Sequence, residues 1–391
     1  MNTGDELRIQ AALERQLARS VWKDFPISEE NMDLIREFDD YNAARQVAWT
    51  TRLHYAKAVK AAAALLSKPL KDVTKKDMIA FIGKYSKNHA DKTVNNVKIA
   101  TKRFYQWLYD MEEGYPEVVK WMKPKPTRNL IKPEQLVTPE EVKRLLAACR
   151  CQRDRALVLL FYERGPRPHE VLAMKVGDVK VNRYGVQIMV DGKTGGRPLP
   201  CLDSAPDISL WLQQHPLRDD PGAPLWVNVK GKEIKPLLYD GLKGVFRRLV
   251  KRAGIKKRLW PYLLRHTSLT GTSKEVPEST LRRLAGWSPT SKMPSVYIHL
   301  NGSDVEAALL KARGIEVDLE KEPRLAARAC PRCKTQNPPD SKFCLNCSLA
   351  LDVETAMKIQ QRKEHANDLM TKLFKDPEFR ELVKKKLKEL A

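Results

Sequence analysis

Arg167, Arg265, His266 and Tyr297 lie in segments whose composition suits phosphate chemistry: YERGPRPHEVLAMKVGDV, PYLLRHTSLTG and LAGWSPTSKMPSVYIHLNG. Two guanidiniums can grip a phosphate through paired hydrogen bonds. A tyrosine oxygen beside them can attack that phosphorus and form a phosphotyrosine link, cleaving and rejoining a DNA strand without a metal. Arg167 sits between Pro166 and Pro168, with Glu170 three residues on. Glu170 can orient the guanidinium; a local surface ion pair, worth little, is the alternative. Lys193 stands at the glycine-flanked tip of DGKTGGRPLP and can protonate a leaving oxygen, unless it is an ordinary turn lysine. Arg265 and His266 fall at the start of a predicted helix, where backbone N–H groups favour an anion. Trp287 offers an indole donor for a phosphate oxygen, although a tryptophan is more often core. A phenol has a pKa of about 10, so Tyr297 needs cations and a base nearby.

The elements that must position these residues are mainly helical. Residues 1–122 read as almost entirely helical, with Ser28 and Thr74 as N-caps and Asp77 at the third helical position. In DKTVNNVKIATKRFYQWLYDMEE the expected core face is Val94, Val97, Ile99, Phe104, Trp107 and Leu108, leaving Lys98, Lys102 and Arg103 to meet DNA backbone or solvent. A proline-rich basic linker covers 123–136. Thr138, Pro139 and Glu141 then restart a helix with a capping box. Residues 137–316 mix helices with a hairpin, YGVQIMVD pairing with RPLPCL. The fold class is mainly α with a small antiparallel β-sheet (α+β).

Composition agrees with a DNA partner. Seventy-one Lys and Arg against 48 Asp and Glu give a net charge of +23 over 391 residues. With no apolar run long enough for a membrane span and no hydrophobic signal core, a cytoplasmic location is expected. Cys330, Cys333, Cys344 and Cys347 are spaced as two Cys-x2-Cys knuckles, a pattern that closes tetrahedrally on a structural Zn²⁺. They define a zinc ribbon with its connector over 317–352, and its partner is left open between DNA, a second protomer and a host or viral protein. Residues 353–391 form charged helices; the last opens at Asp376–Pro377 and carries Phe379, Leu382, Val383, Leu387 and Leu390 on one stripe.

The segments over 164–300 resemble the tyrosine recombinase (phage integrase) family. Arg167 with Glu170 matches its Arg-x-x-Glu box, Lys193 its hairpin lysine, and Arg265-His266 its third box. Gly286-Trp287 matches the fourth, and Tyr297 the nucleophile. YLLRHT and YIHLNGSDVEAALLKARGI look most like the archaeal branch. One position departs: Tyr262 stands where the family carries His or Lys, and a phenol is a poor base at neutral pH. The resemblance implies a helical core-binding domain at 1–122, a catalytic domain at 137–316, and a 3′-phosphotyrosine intermediate. It further implies that Arg167, Arg265 and Trp287, joined by Tyr262, hold the phosphate, and that a homotetramer works on paired double-stranded DNA sites. SDVEAALLKARG is the segment that would dock on a neighbour. The activities implied are recombination and DNA integration. A type IB-like topoisomerase and a non-enzymatic DNA-binding protein are the alternatives.

Overall fold

The computed structural model describes residues 3–125, 131–182, 184–192, 195–228, 233–298, 310, 313 and 325–390. It divides into two compact units, Met1–Ile131 and Lys132–Ala391.

The first unit is a helical bundle: α1 (Thr3–Ala18), α2 (Glu29–Ala44), α3 (Trp49–Leu66), α4 (Lys75–Lys87), α5 (Asp91–Leu108) and the short α6 (Glu117–Lys120). A short hairpin, β1 (Val21–Trp22) against β2 (Phe25–Pro26), separates α1 from α2 in the almost entirely helical run. Ser28 caps α2, and Thr74 with Asp77 forms a capping box on α4. Buried alanines on α3 (Ala56, Ala58, Ala61, Ala62, Ala63, Ala64) let neighbouring helices approach closely. Lys60 is also buried there; its ammonium donates to the carbonyls of Gln16 and Arg19 at the C-terminal end of α1, where a cation is favoured.

On α5 the buried residues are Val94, Asn95, Val97, Ala100, Thr101, Phe104 and Tyr105, whereas Ile99 is 43% exposed. Two residues after Val97, Ile99 points to the far side of a helix that turns 100° per residue. The expected core face is corrected at that position. Lys98, Lys102 and Arg103 are partnered within the unit: Lys98 and Lys102 donate to the carbonyls of Lys123 and Met122, and Arg103 to Gln106.

The second unit begins with α7 (Pro139–Ala147), α8 (Gln152–Arg164) and α9 (Pro168–Ala173). An antiparallel sheet follows in the order β3 (Val179–Asn182), β4 (Gly185–Gly192), β5 (Gly195–Cys201). Strands β4 and β5 form the expected hairpin; β3 adds a third strand that the alternation did not reveal. Val186, Ile188 and Val190 of β4 and Leu199 and Cys201 of β5 are buried. Then come α10 (Ala205–Gln213), α11 (Tyr239–Arg252), α12 (Pro261–Thr272), α13 (Glu278–Ala285) and α14 (Met293–Ile298). Residues 156 to 161 of α8 are all buried, which marks α8 as the central helix. Buried Glu163 near its end accepts from the backbone N–H groups of Leu202, Asp203 and Ser204 and fixes the exit of β5.

Beyond residue 325 a small pair, β6 (Arg328–Ala329) with β7 (Gln336–Asn337), holds Cys330 and Cys333 in the turn between its strands, and Cys344 and Cys347 follow β7. Two helices, Val353–Lys375 and Pro377–Leu390, end the chain, meeting edge to face at Phe374 and Phe379. Of the expected stripe on the last helix, Leu382 is exposed and Phe379 and Val383 are half-buried. The segment SDVEAALLKARG, apart from Leu310 and Arg313, lies outside the described residues, as does Lys193. Among the described residues no helix is long and apolar enough to cross a membrane.

Candidate active site

Gly165 ends α8 in the left-handed region (φ 53°), and a Cβ there would stand 2.9 Å from the Cα of Arg265. Glycine is required both by the turn and by the close approach of α12. Two residues later Arg167 is the N-cap of α9, with Pro168 at its first position and Glu170 at its third. Glu170 completes a capping box by accepting from the Arg167 backbone N–H (2.8 Å), while its other oxygen accepts from Arg167 Nη1 (2.9 Å). The pair is thus no surface ion pair, because the Glu170 side chain is fully buried.

Glu170 also serves an arginine that sequence reasoning missed. Arg197 on β5 donates to both carboxylate oxygens, at 3.1 and 2.9 Å. Burial alone would raise the Glu170 carboxyl; Arg197 and then Arg167 overcome it and hold the group below the usual carboxylate range. A signal for Arg197 existed. It shares the inward face of β5 with Leu199 and Cys201, so its charge interrupts an apolar alternation.

Three arginines converge on the last carbonyls of α13. Arg197 Nε donates to Leu284 O, Arg265 Nη2 to Ala285 O and Arg167 Nη2 to Gly286 O, at 3.1, 2.9 and 2.9 Å. A helix C-terminus carries partial negative charge, which suits them. Gly286 adopts φ 65°, and a Cβ there would meet Arg197 Nη1 at 2.6 Å. Arg265 is 4% exposed, donates also to Gly165 O (2.6 Å), and is pulled down to about 10 by burial and by Arg167. Three guanidiniums against one carboxylate leave a cationic excess at the site, which suits an anionic ligand.

Tyr297 is 1% exposed in a cluster with Leu269, Leu281 and Ala285. Its hydroxyl lies 3.0 Å from His266 Nδ1, and its ring stacks on those of His266 and Trp287. Burial raises the phenol; Arg265 and Arg167 act against that. Burial and Arg265 bring His266 down to about 4. Arg265 and His266 lie in the second turn of α12, not at its start, and the N–H groups of Leu263 and Leu264 already bond to Trp260 O. The expected helix-terminal anion site is corrected accordingly. Tyr262, in the first turn, is 36% exposed, with its phenol raised by burial. Arg167, Arg265, His266, Trp287 and Tyr297 are therefore brought together. Lys193 lies outside the described residues.

Family models extend over most of this architecture. The phage integrase family matches residues 135–303, and the N-terminal SAM-like domain of phage integrases matches 35–112. The chain belongs to the phage integrase (tyrosine recombinase) family. This integrase-family chain is 25% identical over 277 residues to tyrosine recombinase XerA of Saccharolobus solfataricus, covering 66% of it and 85% of XerA. Its fold is similar to that of XerH site-specific recombinase bound to palindromic difH substrate, a post-cleavage complex. That match has a TM-score of 0.55 at 17% identity and covers 79% of this chain and 96% of XerH. It is also similar to a lambda integrase tetramer bound to a Holliday junction, with a TM-score of 0.54 at 17% identity, over 68% of this chain and 76% of lambda integrase.

Outside the matched residues, this integrase-family chain brings Cys330, Cys333, Cys344 and Cys347 together, their sulfurs all within 4.8 Å of one another. The two knuckles are built alike. Lys334 N donates to Cys330 O and Ser348 N to Cys344 O, both at 2.9 Å, with Lys334 and Ser348 in the left-handed region. Sulfurs about 2.3 Å from a tetrahedral zinc stand about 3.8 Å apart. The Cys330–Cys347 and Cys333–Cys344 distances are 3.6 and 3.5 Å, so the donor set fits a metal ion. Arg155 of α8 anchors this element, donating to Asp340 beyond β7 and to buried Asp207 of α10.

Proposed function

We propose that this chain is a site-specific DNA recombinase, an integrase that cleaves and rejoins double-stranded DNA through a 3′-phosphotyrosine intermediate. The observation that carries this reading is that Tyr297, its hydroxyl 3.0 Å from His266 Nδ1, packs against Ala285, whose carbonyl and that of Gly286 hold Arg265 and Arg167. Arg167 and Arg265 hold the scissile phosphate and stabilise the charge that builds on it. Both are already fixed by carbonyls of α13, so little reorganisation accompanies binding. Trp287 and Tyr262 supply further donors. Tyr297 attacks phosphorus, and Lys193 protonates the departing 5′-oxygen. A 5′-hydroxyl from a partner duplex then reverses the step. Exchange between two duplexes needs several active sites, and a homotetramer on paired sites meets that need; the lambda integrase relative is a tetramer on a Holliday junction. The four cysteines hold a structural Zn²⁺, and the cleavage chemistry needs no metal.

A nicked suicide duplex tests the reading. Wild type is expected to form a covalent protein–DNA adduct on a denaturing gel with EDTA present, and Tyr297→Phe none. Equal adduct in both would remove Tyr297 from its role.

A further inference from the structure

The family position that usually carries a basic side chain is Tyr262 here, which leaves the acceptor of the nucleophile's proton unassigned. The structure places another group on that proton. His266, one helical turn beyond Tyr262, has Nδ1 3.0 Å from the Tyr297 hydroxyl, and the two rings stack with centroids 5.6 Å apart and planes 23° from parallel. Heavy-atom separation of this size is the geometry a general base requires. We propose that His266 is the catalytic base of this chain, its Nδ1 taking the proton of Tyr297 as that oxygen attacks phosphorus; this rests on the recombinase reading above.

The surroundings suit an acceptor. His266 lies beside Arg265 on α12; Arg167 before α9, Tyr297 on α14, Tyr262 one turn back on α12 and the Glu170–Arg197 pair are the other ionisable groups described at the site. Burial and the neighbouring Arg265 keep the ring neutral at physiological pH, so with its proton on Nε2 the Nδ1 lone pair is available. A neutral phenol at position 262 is far too weak a base to take that proton. When the phosphodiester binds, its negative charge offsets the arginines and raises the basicity of the imidazole. In the forward step the Oη–H bond of Tyr297 breaks and an Nδ1–H bond forms on His266. The Oη–P bond forms, the P–O5′ bond breaks, and the 5′-oxygen leaves with a proton from the general acid or from water. On religation the 5′-hydroxyl gives its proton back to the deprotonated general acid or to hydroxide, P–O5′ re-forms, Oη–P breaks, and the imidazolium returns its proton to Oη.

The test uses the full chain. Covalent adducts recovered from nicked duplexes with randomised arms supply a cleavable sequence, and adduct formation on it is followed in a single turnover for wild type, His266→Ala and His266→Gln. Both variants are expected to bind that duplex like wild type and to form adduct about 10²–10⁴-fold more slowly. Their rates are expected to rise about tenfold per pH unit, as the phenol must then lose its proton to solvent, while wild type stays nearly flat. Added imidazole is expected to restore part of the His266→Ala rate. A His266→Ala or His266→Gln rate within about threefold of wild type overturns the assignment. So does a slow rate with neither a pH slope nor imidazole rescue, which would make His266 a positioning residue only. Absence of adduct from wild type on every duplex would instead defeat the recombinase reading, and the base with it.

Discussion

The cysteine centre and the arginine–tyrosine site solve the same problem, holding several side chains on one point, by opposite routes. Four thiols of one type come from residues 330 to 347 on two matching knuckles, each closed by its own backbone hydrogen bond. The arginine–tyrosine site draws on residues 165 to 297 and on six secondary-structure elements. Its side chains are held by carbonyls at the ends of α8 and α13 and by one buried carboxylate. A local centre is therefore specified by spacing and completed by its ligand, whereas a dispersed one is specified by the core that carries it.

Removing a thiolate from the local centre should produce the largest effect, and one confined to it. Cys344→Ala is expected to abolish zinc binding, which supplies about 10–16 kcal/mol in small structural sites. Amide exchange should then lose protection over 328–351 while α12 and α13 keep theirs; protection that survived without metal would make the four cysteines incidental.

Within the dispersed site, Arg197→Met leaves Glu170 buried with half its partners. Breaking a buried pair of this kind costs about 3–5 kcal/mol, measurable by denaturant titration. The same pair sets an acid dependence. Glu170 titrates lower in the folded state than its ordinary 4.5, so its contribution is complete above that value and disappears as pH falls through the folded value. Wild-type stability should thus fall on acidification below about 4.5, and Glu170→Gln should flatten that part of the profile. A smaller free-energy change, about 2.7–4 kcal/mol, is expected in the transition state when Arg265→Ala removes a phosphate donor. It reads as a 10²–10³-fold slower adduct formation, and an unaltered rate would separate Arg265 from the chemistry.

The contrast also explains what was legible in the sequence. Helix starts at Ser28, Thr74 and Thr138 were readable because a cap acts over three residues. The hairpin of β4 and β5 was readable from its alternation and glycine turn, but β3, four residues long and mostly exposed, carried no such pattern. Arg167, Arg265, His266, Trp287 and Tyr297 were named from their segments, yet the network joining them was not. The bonds from Arg197, Arg265 and Arg167 to Leu284, Ala285 and Gly286 span 87, 20 and 119 residues and leave no periodic trace. Ile99 was misplaced because hydrophobicity was counted without the helical angle that sets its face.

The most direct test of the central claim is mass spectrometry of the protease-digested protein–DNA adduct. A nucleotide remnant esterified to Tyr297, in the peptide that follows Lys292, is the expected result. A remnant on Tyr262, or on any residue other than Tyr297, would contradict the account.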